Sequence, residues 1–186
     1  MSFKRNEKKD KKQNMFLAFV IISSILIIIL LIQQNHKLSV LQNWRKDIEI
    51  GQKAESVIGI TLKGKNIIIP VKKIPTLLFF FNTTCKTCKK SLPYIVTNYN
   101  YFKEKGVKII GICSEEINPA FKGIDYLKIS FPIITDNKSK IFTKYRVHYV
   151  PMIVLIDKDE RIVYVQPYGE NIKQTMNNIR KILTEE

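Results

Sequence analysis

A run of eighteen residues without any charged side chain, MFLAFVIISSILIIILLI, occupies positions 15–32. As a helix rising about 1.5 Å per residue, this run spans roughly 27 Å, which is enough to cross the hydrocarbon core of a bilayer. Residues 1–14 carry six basic and two acidic side chains. Because basic flanks stay in the cytoplasm, we predict a basic cytoplasmic tail at 1–14 and a single-pass signal-anchor helix at 15–32 that contacts membrane lipid.

A cleaved signal peptide is the alternative interpretation of this segment. Its apolar region usually spans about 7–15 residues and ends at a small-residue cleavage site. Here the run is longer and continues into Gln33, Gln34 and Asn35. These features favour an anchor that is retained. We therefore expect a juxtamembrane spacer at 33–50 and a globular domain at 51–186 on the extracytoplasmic side of a bacterial cell membrane.

The chain is strongly basic, with 31 lysines and arginines against 16 acids. Residues 33–186 retain 25 basic and 14 acidic side chains, a formal charge of +11. Such a surface can meet acidic partners or anionic lipid headgroups. The scattered positions of the lysines favour a plain solvated surface instead. Nucleic acid is not an expected partner, because no patch of aromatic and arginine side chains accompanies the charge.

The pattern of apolar residues predicts strands that alternate with helices. Two β-rich runs at 57–62 and 67–71 surround a three-residue turn containing glycine, which is typical of a hairpin. A continuous apolar run at 76–81 predicts a central strand covered on both faces. The segments that follow are predicted as a helix at 85–103, a strand at 107–113, a helix-like segment near 118–129, strands at 131–135, 152–156 and 161–166, and helices at 138–145 and 170–183. This order favours an α/β fold with a mixed sheet.

Two cysteines, Cys85 and Cys88, lie where the central strand gives way to a helix. The polar residues 82–84 are of types that cap helices, so we expect the cap there. A thiol at a helix N-terminus faces unpaired N–H groups and the positive end of the helix dipole, which favours its thiolate. Lys86, Lys89 and Lys90 act in the same direction. The spacing places the second sulfur within reach of a disulfide with the first, as thiol–disulfide exchange requires.

Other uses of the cysteine pair are less well supported. A structural zinc site needs four ligands, and the chain offers only Cys113, His36 and His148 beyond the pair. Lys89 follows Cys88, so the pattern for haem attachment is absent. We therefore predict no metal or cofactor. Cys113 ends an apolar run and is expected to be a small buried hydrophobe, and His148 is expected to be a surface histidine.

Several stretches of the sequence resemble membrane-anchored thioredoxin-like proteins of the TlpA/ResA type, with some similarity to the MauD-like branch. These stretches are TLLFFFNTTCKTCKKSLPYI, YFKEKGVKIIGICSEE, FPIITDNKSKIFTKYRVHYVP and MIVLIDKDERIVY. The resemblance covers nearly the whole exported part. It implies a thioredoxin-like fold, in which a central mixed β-sheet is flanked by helices and preceded by an N-terminal β-hairpin.

The resemblance also implies roles for individual residues. Cys85 corresponds to the attacking cysteine and Cys88 to the resolving one, and the two form the redox disulfide. Pro93 corresponds to the proline that kinks the active-site helix. Val150 and Pro151 correspond to the cis-proline segment beside the disulfide, where backbone groups bind a substrate peptide.

The chain departs from the family pattern at three positions near the pair. Thr84 stands where many members have tryptophan, Phe79 where thioredoxins have a buried acid, and Ser91 where ResA-like members have glutamate. The usual proton acceptors are therefore missing. Solvent, or Glu115 and Glu116 at the end of the neighbouring strand, would have to serve, although exposed loop charges of this kind are commonly without function.

The resemblance implies a membrane-tethered thiol–disulfide oxidoreductase that exchanges disulfides with client proteins. A reductase in protein or cytochrome c maturation is the first expectation, with a membrane or extracytoplasmic redox partner to supply electrons. A disulfide-forming oxidase for a specific partner is the alternative from the MauD-like branch. A non-catalytic thioredoxin-fold module that only binds clients is the alternative from a different class of protein.

Overall fold

The computed structural model describes residues 3–45, 48–115 and 128–185. The chain divides into two compact units, Met1–Lys46 and Asp47–Glu186. Most of the helix-like segment predicted near 118–129, and Glu116, lie outside the described residues.

The first unit is a single helix, α1 (Phe3–Arg45). Its segment Asn14–Asn35 has a mean hydropathy of 3.3, and none of it is buried within the protein. The hydroxyls of Ser23 and Ser24 both donate to the carbonyl oxygen of Val20, so the polar groups of this apolar segment are satisfied within the helix. The helix is longer than the predicted span, because neither proline nor glycine interrupts residues 3–45.

The second unit contains a two-stranded antiparallel hairpin and a five-stranded mixed sheet with the strand order β5-β4-β3-β6-β7. Strands β3, β4 and β5 are parallel, whereas β6 and β7 run antiparallel to their neighbours. The strands are β1 (Val57–Ile60), β2 (Asn66–Ile69), β3 (Thr76–Phe81), β4 (Lys108–Cys113), β5 (Ile133–Thr135), β6 (Met152–Ile156) and β7 (Ile162–Val165). The helices are α2 (Lys86–Thr97), α3 (Tyr99–Glu104), α4 (Lys140–Lys144) and α5 (Ile172–Glu185).

Strand β3 is the centre of the sheet, and all six of its side chains are buried. Successive side chains of a strand point to opposite faces, so β3 contributes to two cores. Leu77, Phe79 and Phe81 belong to the core that includes buried residues of α2, α3 and α5. Leu78 and Phe80 belong to the core that includes residues of the hairpin and α4. The apolar run 76–81 therefore forms the doubly covered strand that its sequence predicts.

The hairpin packs against the edge strand β5. The backbone nitrogen of Leu62 donates to the carbonyl oxygen of Ile133 at 2.9 Å. A Cβ atom on Gly59 would lie only 2.6 Å from the Ile134 side chain, so glycine permits this close approach. The predicted hairpin and the predicted mixed sheet are both confirmed.

The helix predicted over 85–103 is divided into α2 and α3 at Asn98. The Asn98 side chain and backbone nitrogen both donate to the carbonyl oxygen of Tyr94, which ends α2. Pro93 lies inside α2, at the position assigned to the helix proline. The remaining predicted strands agree with the structure to within two residues at each end, and α4 and α5 are also present.

Candidate active site

Cys85 is itself the N-cap residue of α2. Its backbone is extended, with φ −69° and ψ 117°, and its sulfur accepts a hydrogen bond from the backbone nitrogen of Cys88 at 3.2 Å. The prediction that residues 82–84 cap the helix is therefore wrong. Asn82 instead accepts a hydrogen bond from the Thr84 backbone nitrogen at 2.8 Å, within the turn before the helix. The first sulfur of the pair receives an N–H group of the helix start directly, which stabilises negative charge on it.

The three thiols differ in exposure. Cys85 is half-buried, whereas Cys88 and Cys113 are buried, with 1% and 0% of their surface exposed. Burial raises the pKa of the Cys88 thiol to about 12, and its contact with Cys85 contributes in the same direction. Burial also raises the pKa of the Cys113 thiol to about 12. All three cysteines are free thiols, and the environment of Cys113 agrees with its predicted place in the core.

The loop before β6 meets Cys85 from another part of the chain. The Cys85 thiol lies 3.6 Å from the carbonyl oxygen of Val150, to which it donates. The peptide bond between Val150 and Pro151 is cis, as the resemblance implies. The structure thus brings Cys85 and the Val150–Pro151 segment together, although Cys85 and Val150 are 65 residues apart in sequence.

Two tyrosines that the sequence analysis did not single out flank this loop. The Tyr149 hydroxyl donates to the carbonyl oxygen of Gln166 at 2.6 Å, which ties the loop to the residue after β7. The ring of Tyr168 packs edge-on against Tyr149, with centroids 5.1 Å apart, and remains 83% exposed. The position of Tyr149 next to Val150 was the only available signal in the sequence.

The turn before Cys85 is attached to the end of β4. The Asn82 side-chain amide donates to the Ser114 hydroxyl at 3.0 Å. The Thr83 backbone nitrogen donates to Oε2 of Glu115 at 3.1 Å, and the Thr83 hydroxyl donates to the same oxygen. Because β3 and β4 are parallel neighbours, their carboxyl ends lie side by side and these polar residues meet. The polar residues after both strands were a usable signal for this contact.

Glu115 is not the free loop charge that the sequence suggested. It is half-buried, and its Oε2 also lies 3.8 Å from the sulfur of Cys113, which donates to it. In the part of the chain that the structure describes, its hydrogen bonds go to Thr83 and Cys113 rather than to either cysteine of the pair. Glu115 therefore positions the turn that precedes Cys85.

The charges at the start of α2 are all positive. Lys86, Lys89 and Lys90 are exposed, and the first turn contains no acid. Phe79, at the place of the thioredoxin acid, is fully buried and stacks on Phe81 at 5.2 Å. Ser91, at the place of the ResA glutamate, is also buried. The start of α2 therefore offers the pair a helix N-terminus and solvated lysines, with no acid in its first turn.

The structure also locates the residues considered as metal ligands. His148 is exposed, as predicted. Across residues 3–45, 48–115 and 128–185, no group of three or more His, Cys, Asp or Glu side chains is arranged to hold a metal ion.

A half-exposed thiol at a helix N-terminus, with a buried thiol one turn further on and a cis-proline loop against the first thiol, defines a thiol–disulfide oxidoreductase. The chain belongs to the AhpC/TSA family, whose model matches residues 50–165, and within that family it is a thiol–disulfide oxidoreductase of the ResA type. It is 34% identical over 142 residues to the thiol–disulfide oxidoreductase ResA of Bacillus thuringiensis (strain Al Hakam). The matched region covers 75% of this chain and 82% of that relative.

Solved structures show the same fold. The thioredoxin domain of a thiol–disulfide oxidoreductase from Bacteroides vulgatus superposes with a TM-score of 0.62 at 26% identity, over 72% of this chain and 99% of that one. StoA from Bacillus subtilis superposes with a TM-score of 0.57 at 25% identity, over 66% and 95% of the two chains. The predicted thioredoxin-like fold and oxidoreductase class are thereby confirmed.

Proposed function

We propose that this protein is a membrane-tethered reductase that reduces disulfides of extracytoplasmic client proteins in protein or cytochrome c maturation. The observation that carries the proposal is the pairing of half-exposed Cys85 at the start of α2 with buried Cys88 one turn below it. Only the Cys85 sulfur is accessible to a client disulfide. The buried Cys88 sulfur reacts afterwards, when it resolves the mixed disulfide.

The reaction uses the two thiols in sequence. The Cys85 thiolate attacks one sulfur of a client disulfide, forms a mixed disulfide and releases the other client sulfur as a thiolate. Cys88 then gives up its proton to the released client thiolate or to solvent and attacks the Cys85 sulfur. The second client thiol leaves, so that the client gains two electrons and the Cys85–Cys88 disulfide forms. A separate dithiol redox partner must then return two electrons to the pair.

Because the pKa of Cys88 is raised, the second step requires that the Cys88 thiol first lose its proton. A thiol with a pKa of about 12 is protonated at neutral pH, so it does not attack the mixed disulfide until its proton is removed. This delay allows the mixed disulfide with the client to persist. We propose that backbone groups at Val150 and Pro151 hold the client segment meanwhile, since the Val150 carbonyl already lies against the Cys85 thiol.

We also propose the arrangement of the chain in the membrane. Residues 1–14 form a cytoplasmic tail, 15–32 a single-pass anchor, 33–50 a spacer and 51–186 the extracytoplasmic catalytic domain. The candidate span Asn14–Asn35 supports an anchor by its length and composition. The excess of basic residues at 1–14 supports the orientation.

A disulfide-forming oxidase is the second candidate, and the lysines of α2 favour it. Positive charge near Cys85 stabilises the reduced thiolate form and so makes the disulfide a stronger oxidant. The reduction potential of the Cys85–Cys88 couple separates the two directions. A potential closer to about −270 mV, the value for thioredoxin, than to about −120 mV, the value for DsbA, supports the reductase, and one closer to the value for DsbA supports the oxidase.

Insulin reduction tests whether the pair is catalytic at all. We expect the full chain in detergent to precipitate insulin with dithiothreitol as donor, and we expect Cys85→Ser to lose this activity. Cys88→Ser, first reduced and then freed of dithiothreitol, should accumulate a mixed disulfide with insulin, since resolution is blocked. Cys113→Ser serves as the matched thiol control and should retain activity. An active Cys85→Ser variant would contradict the assignment, and an inactive wild-type chain would favour a module that only binds clients.

A further inference from the structure

The outer face of the β1–β2 hairpin carries three exposed isoleucines. Ile58, Ile60 and Ile68 are 60%, 54% and 51% exposed. Ile58 and Ile68 are directly opposed across the two strands, and Ile60 lies two residues further along the same face. We call these three residues the hairpin face. Together they form a continuous apolar stripe, whereas single exposed apolar residues are ordinary.

The hairpin face points to solvent because the side chains on the other face of the hairpin pack into the core. Val57 and Ile69 point into the core and are 5% and 0% exposed. Gly59 lies against Ile134 so closely that no Cβ atom would fit between them. A one-residue shift of either strand would bury the outer isoleucines but would expose the inner residues. The stripe is therefore a surface of the folded domain.

Lysines lie at the hairpin turn and after β2, in a stretch without any acid. Residues 57–75 contain four lysines and no aspartate or glutamate. Lys63 and Lys65 are exposed at the hairpin turn, and Lys72 and Lys73 are exposed after β2. Apolar side chains bordered by lysines suit an interface that is apolar in its centre and negatively charged at its edge.

A cavity of about 540 Å³ lies beside the hairpin turn. Lys63, Lys65 and Lys108 line it together with the apolar side chains of Leu62 and Ile67. Among the described residues around the cavity none is acidic. The cavity thus combines cationic and apolar side chains, which is the chemistry that a phospholipid headgroup and the start of its acyl chains require.

We propose that the hairpin face and this cavity bind the anionic surface of the phospholipid bilayer. The proposal rests on the proposed membrane anchor. Asn35, which ends the candidate span, and Val57 are only 22 positions apart, so the hairpin lies at most about 80 Å along the chain from the span. This connection raises the concentration of lipid around the hairpin, and each lysine near an anionic surface strengthens binding about fivefold.

Binding through this surface leaves the cysteine pair accessible. Lys108 begins β4, whereas Cys113 ends it beside the turn that precedes Cys85. The five residue steps between them correspond to about 16 Å of strand. The cavity and the active site therefore lie toward opposite ends of the sheet. A domain held at its lysine-bordered end presents Cys85 to clients in solution.

Lipid quenching of a tryptophan tests the proposal with the full chain. Trp44 is the only tryptophan, so Trp44→Phe gives a background into which Ile68→Trp is introduced. The protein is reconstituted into phosphatidylcholine vesicles containing brominated phosphatidylglycerol. Tyr168→Trp is the matched control, because Tyr168 is 83% exposed and packs against Tyr149 beside the active-site loop. We expect quenching at position 68 and none at position 168.

Charge reversal at the hairpin turn is a second test of the proposed lipid binding. Lys63→Glu with Lys65→Glu in the Ile68→Trp background should lower the ratio of bound to free hairpin about 30-fold or more, with insulin reduction unchanged. Vesicles of phosphatidylcholine alone, with the bromine now carried by phosphatidylcholine, should also abolish quenching.

The outcomes separate the anchor from the lipid-binding surface. A chain that does not float with vesicles would refute the anchor itself. A chain that floats without quenching at position 68 would refute only the lipid-binding surface. In detergent, the introduced tryptophan should not become more shielded from solvent as the protein concentration rises. Such a rise in shielding would also refute the lipid-binding surface, because the hairpin face would then contact a second copy of the chain.

Discussion

The carboxylate of Glu115 accepts hydrogen bonds from both the backbone nitrogen and the hydroxyl of Thr83, two residues before Cys85. Thr83 is buried, so its two donors depend on this one carboxylate. The contact links the end of β4 to the turn that sets the position of the attacking sulfur. Glu115 thus acts on the site through Thr83 rather than by touching a client.

Removal of this carboxylate tests the positioning role. Glu115→Ala leaves two donors of Thr83 without their acceptor, which costs about 1–3 kcal/mol when such groups are buried. We expect the lower part of this range, since Glu115 is half-exposed and water can replace part of the contact. Urea unfolding measures the loss in the free energy of unfolding. The alkylation rate of Cys85 measures whether the turn still holds this sulfur in place. Glu115→Gln, which keeps an acceptor oxygen, should restore most of both.

The matched control for this variant is Glu104→Ala, which removes an exposed carboxylate from α3. It should leave the free energy of unfolding and the alkylation rate nearly unchanged. Equal effects of Glu104→Ala and Glu115→Ala would show that general charge, and not the contact with Thr83, is responsible.

Alkylation should distinguish the three thiols in the reduced protein. At about pH 7 we expect iodoacetamide to modify Cys85 first, because Cys85 is half-exposed whereas Cys88 and Cys113 are buried with pKa values raised to about 12. Peptide mass spectrometry after short exposure measures the order. Cys85→Ser should leave a protein that reacts only slowly. First modification at Cys88 or Cys113 would reverse the assignment of the attacking sulfur.

The buried thiols predict that the reduced protein loses stability at high pH. The pKa of Cys113 rises from 9.0 to about 12 on folding because of burial, so the unfolded state loses this proton first. Between about pH 9 and 12 the folded state binds more protons, and the free energy of unfolding falls by at most about 1.4 kcal/mol per pH unit for this group. Below about pH 9 the effect is absent. Cys88 contributes in the same direction.

Comparison of the wild type with Cys113→Ala isolates this contribution. Both proteins contain the same lysines and tyrosines, which also titrate in this range. Urea unfolding at about pH 8, 9 and 10 under reducing conditions should show a steeper decline for the wild type. Parallel curves would mean that the Cys113 thiol ionises equally in the folded and unfolded states.

The lysines of α2 predict an effect on the redox potential. Lys86 is the first residue of α2, next to the sulfur that caps the helix. Lys86→Glu places a negative charge beside the thiolate and should make the potential more negative, on the order of 10–20 mV given the usual size of charge effects at helix ends. Because Lys86 is exposed, salt should reduce the difference. We expect the wild-type potential to be less negative than about −270 mV.

Lys108→Glu is the matched control for the redox measurement. It makes the same change of charge at an exposed position that begins β4, away from the pair. Its potential should equal that of the wild type. If the two variants shift the potential equally, net charge is responsible and the local argument fails.

The sequence determined the local elements of this protein. The uncharged run at 15–32 lies within a helix without a break, the apolar run 76–81 forms the buried central strand, and the cysteine pair lies at a helix start. Each of these follows from neighbours in the chain, through apolar pattern, helix propensity and spacing. The resemblance added the cis bond before Pro151.

Only the tertiary structure decided what surrounds the attacking sulfur. The cap was expected at residues 82–84, yet Cys85 takes that place, because the side chains of Asn82 and Thr83 instead bond Ser114 and Glu115. These contacts join residues 32 positions apart, and the contact from Cys85 to Val150 joins residues 65 positions apart. They exist because strand register places Phe81 beside Cys113 and Phe80 beside Met152. That register follows from burying both faces of β3 at once, which no single segment of the sequence specifies.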